Sequence, residues 1–514
     1  MPDRLSVILI QLDSLNRHFL RCYGNTWVQA QNLASFAERA AIFDQHYIGS
    51  LPCMPARREI WAGTEEFWWR GWGPLEPWDQ PIAYLAGRHG VTTQLITDHY
   101  HLFEWGSHSY PYDYAGYEFI RGHEYDNWRT EPVRAIPDWA EQMVARLGDA
   151  AYVYLRNVQH FKHEVDFFAP RVMDATAQWI DQNHAQQQFF LHVDCFDVHE
   201  PFHIPEPYRS LYTDDDYRRY CPWPIYGRID HGASALAPAE LAWVRAQFAG
   251  KLTMVDRWMG RVFDMLDRHR LWERTCVIIT TDHGHYLGEH GWIGKPPAPL
   301  YSTLCHIPLL VWHPDGAHNG SRVRALTQTV DLYATVLDLL GIDVPVTPTI
   351  HSRSFAPVVL GQRAMHRRYA VYAYNNQSIG ITTDEWTLLR DHDRAAAPGY
   401  WYTHQVDQLH GRSLWMRQHR PTNYPDVEAG QFVVGVDMPV WRTLRRSGQS
   451  SAPQPPRPDL LFHQPTDPEQ EHNLADDRPD VVEQLVNLLR EHALGIHAPA
   501  EQHLRLRLSP RDRM

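Results

Sequence analysis

No stretch of this chain approaches the ~20 consecutive apolar residues that a bilayer-spanning helix needs. The apolar run that opens it is short and leads directly into the polar residues Gln11 and Asp13. A secretory signal needs a longer apolar region and a small-residue cleavage site, so the cytoplasm is the expected compartment and no membrane partner is expected. Positive charge is also scarce: 48 Lys and Arg stand against 61 Asp and Glu, a formal charge of −13. Phosphate backbones are bound by concentrated Lys and Arg, which excludes nucleic acid as a partner. Cysteine is scarcer still. Six are scattered along 514 residues with no CxxC pair, so neither a disulfide framework nor a zinc finger is present. Cys22, Cys195, Cys221, Cys276 and Cys305 read as small buried apolar residues. Cys53 is set apart by its neighbours.

What is abundant is apolar residues, at 44%, enough for a large core plus a smaller one. Strand-like and helix-like segments alternate. Residues 5–12, 92–97, 189–196, 276–281 and 307–312 read as strands, and 32–40, 175–187, 246–268 and 329–340 carry helical spacing. Near-continuous apolar runs of strand length fit a parallel sheet covered on both faces, so the expected class is α/β with a largely parallel sheet flanked by helices. The pattern weakens near residue 375. Beyond it, 379–389 suggests a small sheet, 447–458 an extended arm rich in Ser, Pro and Gln, and 481–494 a closing helix. The expected domains are therefore 1–375 and a smaller α+β unit over 376–514. The arm could wrap a neighbouring subunit, and a homo-oligomer is expected.

Ligands of open α/β sheets sit beyond the carboxyl ends of the strands. Asp13 follows the first run. Asp197, His199 and Glu200 follow 189–196. Asp282 and His283 follow 276–281, with Lys295 further on. Asp13, Asp282 and His283 make a plausible metal set of two anionic oxygens and one neutral nitrogen. Such a set suits Mn²⁺, Ca²⁺ or Mg²⁺, the imidazole leaning toward Mn²⁺ or Zn²⁺. The alternative for any one of these acids is capping of the following helix.

Cys53-Met54-Pro55-Ala56-Arg57 matches C-x-P-x-R, the signature of the sulfatases. Further matches run in order: Cys22-Tyr23-Gly24; His199-Glu200-Pro201-Phe202; Asp282-His283-Gly284 with Gly288-Glu289-His290 and Gly294-Lys295; and Leu461-Phe462 with Asp467-Pro468-Glu469 and Asn473-Leu474. Together they span nearly the whole chain, which resembles a sulfatase of the alkaline phosphatase superfamily. Two features depart from the commonest pattern. Position 14 is Ser where a second Asp often stands, and His283 stands where Asn is frequent. Both bring the chain closer to phosphonate monoester hydrolases and phosphodiesterases. A G-K-W-H segment is replaced by Thr97-Asp98-His99-Tyr100-His101.

The resemblance implies an alkaline-phosphatase-like fold and hydrolysis of sulfate esters of arylsulfatase type, with phosphonate monoesters or phosphodiesters as the alternative substrates. An inactive anion-binding relative is a third reading. It further implies oxidation of Cys53 to formylglycine (3-oxoalanine) by a formylglycine-generating enzyme. One divalent ion would be held by Asp13, Asp282, His283 and the modified Cys53. Arg57 would steady the nucleophile, His199 would act as acid/base or oxyanion partner, and Lys295 would contact the transferring group. His99 and His101 are the remaining candidates for substrate contact. His290 and the aromatic run 67–72 are open between site and packing roles.

Overall fold

The computed structural model describes residues 5–104, 109–297, 299–405, 427–444 and 456–508. Ser6–Leu12 forms the spine of an eight-stranded sheet. In spatial order the strands are Arg322–Val323, Ala41–Phe43, Leu309–Trp312, Thr275–Thr280, Ser6–Leu12, Phe189–Cys195, Thr92–Thr97 and Gly116–Phe119. Alternation along the first strand divides it between two cores. Ile8, Ile10 and Leu12 face one core, with side chains from helices Gln31–Arg39, Phe168–Asn183 and Pro238–Arg268. Val7 and Leu9 face the other, with Cys53–Ala62, Ile82–Arg88 and Asp331–Leu339. A sheet buried on both faces needs no polar face, hence the continuous apolar runs.

The sheet is largely parallel, as expected. The exception is Leu309–Trp312, antiparallel to both of its neighbours; its apolar pattern carries no information on direction. Two helices begin earlier than their apolar spacing suggests. Phe168–Asn183 has Pro170 in its first turn, and Pro238–Arg268 starts on proline. First-turn N–H groups have no intrahelical partner, so proline is tolerated there.

A second sheet has the order Leu460–His463, Trp386–Arg390, Ile379–Thr382, Ala370–Tyr374, Ser50–Leu51. Its last strand comes from the two residues preceding Pro52 and Cys53, paired in parallel with Ala373 and Tyr374. A three-stranded sheet (Tyr400–Thr403, Val440–Leu444, Val427–Gly430) lies beyond it. Helix Pro479–Gly495 packs Leu485 and Leu489 into the core that also takes Phe67, Trp68 and Trp69. Of the arm at 447–458, residues 447–455 lie outside the described residues. Among the described residues, no helix is long and apolar enough to cross a membrane.

Candidate active site

Three carboxylates leave one face of the central sheet. Gln11 is in register with Asp194 on one side and with Thr280 on the other. Side chains two residues apart share a face. Asp13, Asp194 and Asp282 therefore project toward the side occupied by helix Cys53–Ala62. Cys53 is the first residue of that helix, and Pro55 lies in its first turn, where a missing N–H costs nothing. Arg57 sits four residues on, one turn along the same face, and its Nη1 donates to the Cys53 carbonyl at 3.2 Å. The C-x-P-x-R spacing thus places thiol and guanidinium against the same acids.

Arg57 is fully buried. It grips Asp194 through Nε and Nη2 at 2.8 and 2.7 Å, and donates to Asp282 Oδ2 at 2.8 Å and Asp13 Oδ2 at 3.0 Å. Burial opposes its charge, but the three acids outweigh this and hold the guanidinium more firmly protonated than usual. Burial likewise opposes the Asp13 carboxylate. Lys295, Arg57 and the His99 contact overcome it, and Asp13 lies well below the usual range.

Cys53 Sγ is 3.3 Å from His283 Nε2 and accepts from Lys295 Nζ at 3.1 Å. Burial and then the neighbouring Asp13 push this thiol well above its ordinary value, despite Lys295. A thiol kept neutral is a poor nucleophile. Lys295 also reaches the Ser14 hydroxyl at 3.3 Å and Asp13 Oδ1 at 3.7 Å. Ser14, at φ 64°, donates its hydroxyl to Asp13 Oδ1 (2.8 Å) and its backbone N–H to Asp282 Oδ1 (3.2 Å). His283 Nδ1 is 2.9 Å from the Gly284 carbonyl, which leaves Nε2 as the free lone pair. Burial, assisted by Lys295, lowers this ring to about 3, so it is neutral.

Ligand atoms of Asp13, Cys53, Asp282 and His283 all lie within 4.8 Å of one another, and all four residues are buried. Two carboxylates and a neutral imidazole, with a sulfur position that an oxygen would fill after oxidation, fit a divalent cation.

Of the remaining candidates, His99 touches this cluster, and the others have contacts of their own. His99 is buried with Nε2 at 3.5 Å from Asp13 Oδ2, and among the described residues neither ring nitrogen has a hydrogen-bond partner. His101 is set between Glu104 (3.1 Å) and Glu124 (3.7 Å). Burial disfavours its charge, but Glu104 and Glu124 raise it to about 9. His199 has Nδ1 at 2.7 Å from the Glu200 carbonyl and at 3.2 Å from Glu124 Oε1, with Nε2 3.4 Å from the Tyr226 hydroxyl. His290 stacks on Tyr301 at 3.7 Å between ring centroids. Phe67, Trp68 and Trp69 are core residues, whereas Trp72 packs edge-on against His101.

Four neighbours escaped sequence reasoning. Asp194 sits inside a buried strand, and its one available signal was a carboxylate interrupting an apolar run. Glu124 and Tyr226 come from loops with no pattern. Lys251 lies in helix Pro238–Arg268, and its Nζ donates to the carbonyls of His199 (2.5 Å) and Pro201 (3.0 Å).

The fold and this cluster define a metal-dependent hydrolase built around a cysteine. Comparison with known proteins narrows the class. The family model described as Sulfatase matches residues 6–342, and one described as N-sulphoglucosamine sulphohydrolase, C-terminal, matches 288–400. The chain belongs to the sulfatase family. The multifunctional alkaline phosphatase superfamily protein PehA of Trinickia caryophylli is 24% identical over 407 residues, 66% of this chain and 75% of that protein. Arylsulfatase K of Gallus gallus is 21% identical over 444 residues, 77% and 76% of the two chains. The phosphonate monoester hydrolase of Agrobacterium radiobacter superposes with a TM-score of 0.63 at 19% identity, covering 98% of this chain and 96% of its own. That likeness shows a shared fold.

Proposed function

We propose that this protein hydrolyses sulfate esters of arylsulfatase type, with formylglycine made from Cys53 as nucleophile and one divalent ion at Asp13, Asp282, His283 and residue 53. The supporting observation is the convergence of these four residues within 4.8 Å, with Arg57 and Lys295 beside them. Mn²⁺ or Ca²⁺ is the ion expected of this donor set, ahead of Mg²⁺ or Zn²⁺. When present, the ion and the aldehyde hydrate supply an acidified hydroxyl for attack and a second hydroxyl for release.

The chain's own residues do the rest. Arg57, clamped by Asp194, holds Asp13 and Asp282 in position and offsets their repulsion. Lys295 presents a fixed positive charge to the transferring group, most effective where water is excluded. His199 exchanges a proton with the departing oxygen or donates to it through Nε2. His99 and His101 are the candidates for the remaining substrate contacts. A formylglycine-generating enzyme is the maturation partner.

Ser14 supports a second reading, in which phosphonate monoesters and phosphodiesters rank ahead of sulfate. It offers a hydroxyl where a second acid would add charge, so the ion keeps more of its positive field for the substrate. The test is kcat/KM on matched nitrophenyl sulfate, phosphodiester and phosphonate esters, using enzyme whose mass shows the ~18 Da loss of cysteine oxidation to the aldehyde. Sulfate turnover should lead. A lead for phosphonate reverses the ranking, and failure on all three by fully converted enzyme overturns the hydrolase reading in favour of an anion-binding relative.

A further inference from the structure

We infer that the protein holds a second divalent cation at Glu124, His199 and Glu200. One ligand atom from each of these three buried residues lies within 4.8 Å of the other two. The crowding falls on a single nitrogen. His199 Nδ1 has the Glu200 carbonyl oxygen at 2.7 Å, Glu124 Oε1 at 3.2 Å and Glu200 Oε2 at 3.6 Å. That nitrogen carries at most one proton, which can satisfy one of the three oxygens. The others would face a nitrogen and each other; the ion pair that Glu124 makes with His101, at 3.7 Å, uses its other oxygen, Oε2. Ligands bound at about 2.1 Å to one ion lie about 3–4 Å apart; His199 Nδ1 has the two carboxylates at 3.2 and 3.6 Å, and the three ligand atoms lie within 4.8 Å of one another.

Among the described residues, the surroundings also leave polar atoms here without a hydrogen-bond partner. Glu200 is 1% exposed, and its Oε2 has no hydrogen-bond donor; Oε1 accepts from the Tyr226 hydroxyl. His285 is fully buried, and neither of its ring nitrogens has a hydrogen-bond partner. Its Nδ1 lies 3.9 Å from the same Glu200 Oε2. Buried carboxylate and imidazole atoms without partners are costly, and a cation satisfies both. Two carboxylates, a carbonyl and one or two imidazoles suit Mn²⁺ or Zn²⁺. A cation on Nδ1 also settles the tautomer of His199: the ring proton must then sit on Nε2, leaving that atom a permanent donor.

The test is stoichiometric and does not depend on maturation of residue 53. Full-length protein, stripped with chelator and reloaded with Mn²⁺ or Zn²⁺, is desalted and its metal counted by mass spectrometry. Wild type should hold two ions per chain, Glu124→Gln and Glu200→Gln one, and Asp282→Asn one. A single ion at saturation in wild type that Asp282→Asn removes would overturn the second site and leave the proposed function standing. Two ions in wild type, one of them lost in Glu200→Gln but none in Asp282→Asn, would support the second site and count against the first. Two ions retained by both folded glutamine variants would also overturn it. If those variants do not fold, an anomalous difference map of Zn²⁺-loaded wild type decides: a peak among Glu124, His199 and Glu200 supports the site, and its absence overturns it.

Discussion

Arg57 and Arg58 are consecutive, buried and multiply paired, yet they belong to different regions. Arg57 faces Asp13, Asp194 and Asp282, with Lys295 close by. Arg58 turns away to Asp79, at 2.7 and 2.9 Å, and to Glu66, which is shared with Arg70 and, through it, linked to Glu76. Each cluster sets three carboxylates against two cations. Burial and charge balance therefore do not distinguish a site from a clamp. The neutral donors do: around Arg57 a thiol and an imidazole converge with the acids. Around Arg58 the arginines separate the acids; Arg70 donates to the Thr403 hydroxyl and Glu76 accepts from the backbone N–H of His404.

The sharpest way to break this contrast is to remove the thiol. Cys53→Ala should lower turnover of every ester by on the order of 10⁴-fold or more, measured as kcat against matured wild type, with little change in unfolding midpoint. Retained turnover would place the nucleophile elsewhere. Next comes the grip on Arg57. Asp194→Asn touches no proposed metal ligand directly, yet should cost about 10–100-fold in kcat/KM and in metal affinity, the usual scale for residues that orient ligands. A loss under threefold would show that the guanidinium holds its place unaided.

The opposite signature is expected one residue along. Arg58→Met should cost about 3–5 kcal/mol of stability by stranding buried carboxylates. In denaturant titrations the midpoint should fall, while kcat of the folded fraction stays within about twofold. A large drop in kcat at unchanged stability would erase the distinction. The smallest effect concerns Glu65, which meets His492 Nε2 at 2.7 Å across 427 residues of sequence. Burial raises this carboxyl, but His492, His351 and Arg367 bring it from 4.5 down to about 2. A depressed carboxyl stabilises the fold above its unfolded value and loses that contribution as pH falls through the folded one. Stability should thus decline by about 3 kcal/mol between pH 4.5 and 2, and Glu65→Gln should flatten that part of the profile.

Much of the catalytic sheet was legible because its signals are local. Asp13 and Asp282 end apolar runs in adjacent parallel strands, and strand-end logic brings them to one edge. The spacing of Cys53, Pro55 and Arg57 is that of a first helical turn. Asp194 was not legible: one acid within a buried strand reads the same whether it meets an arginine or faces a gap. The neighbours of Ser50–Leu51 were also hidden, since two residues carry no periodicity and their partner lies more than 300 positions away. Glu124 and Tyr226 come from loops whose course depends on everything packed beneath them. The motif around Leu461, Asp467 and Asn473 was visible as letters. Its physical content emerges only in three dimensions, where Asn473 Oδ1 accepts from the backbone of Leu461 and Ala475, and Asp467 accepts from that of Glu471 and His472.

Cys53 is 2% exposed, and the strand just ahead of it is stitched to Ala370–Tyr374. That closure orders events in time. Any catalyst that alters this sulfur must meet it while the segment is still open, before more than 300 further residues have been made and docked. Once the sheet has zipped shut, the chemical fate of the side chain is sealed. A molecule that folds with its thiol intact offers that sulfur only to what is small enough to enter the site.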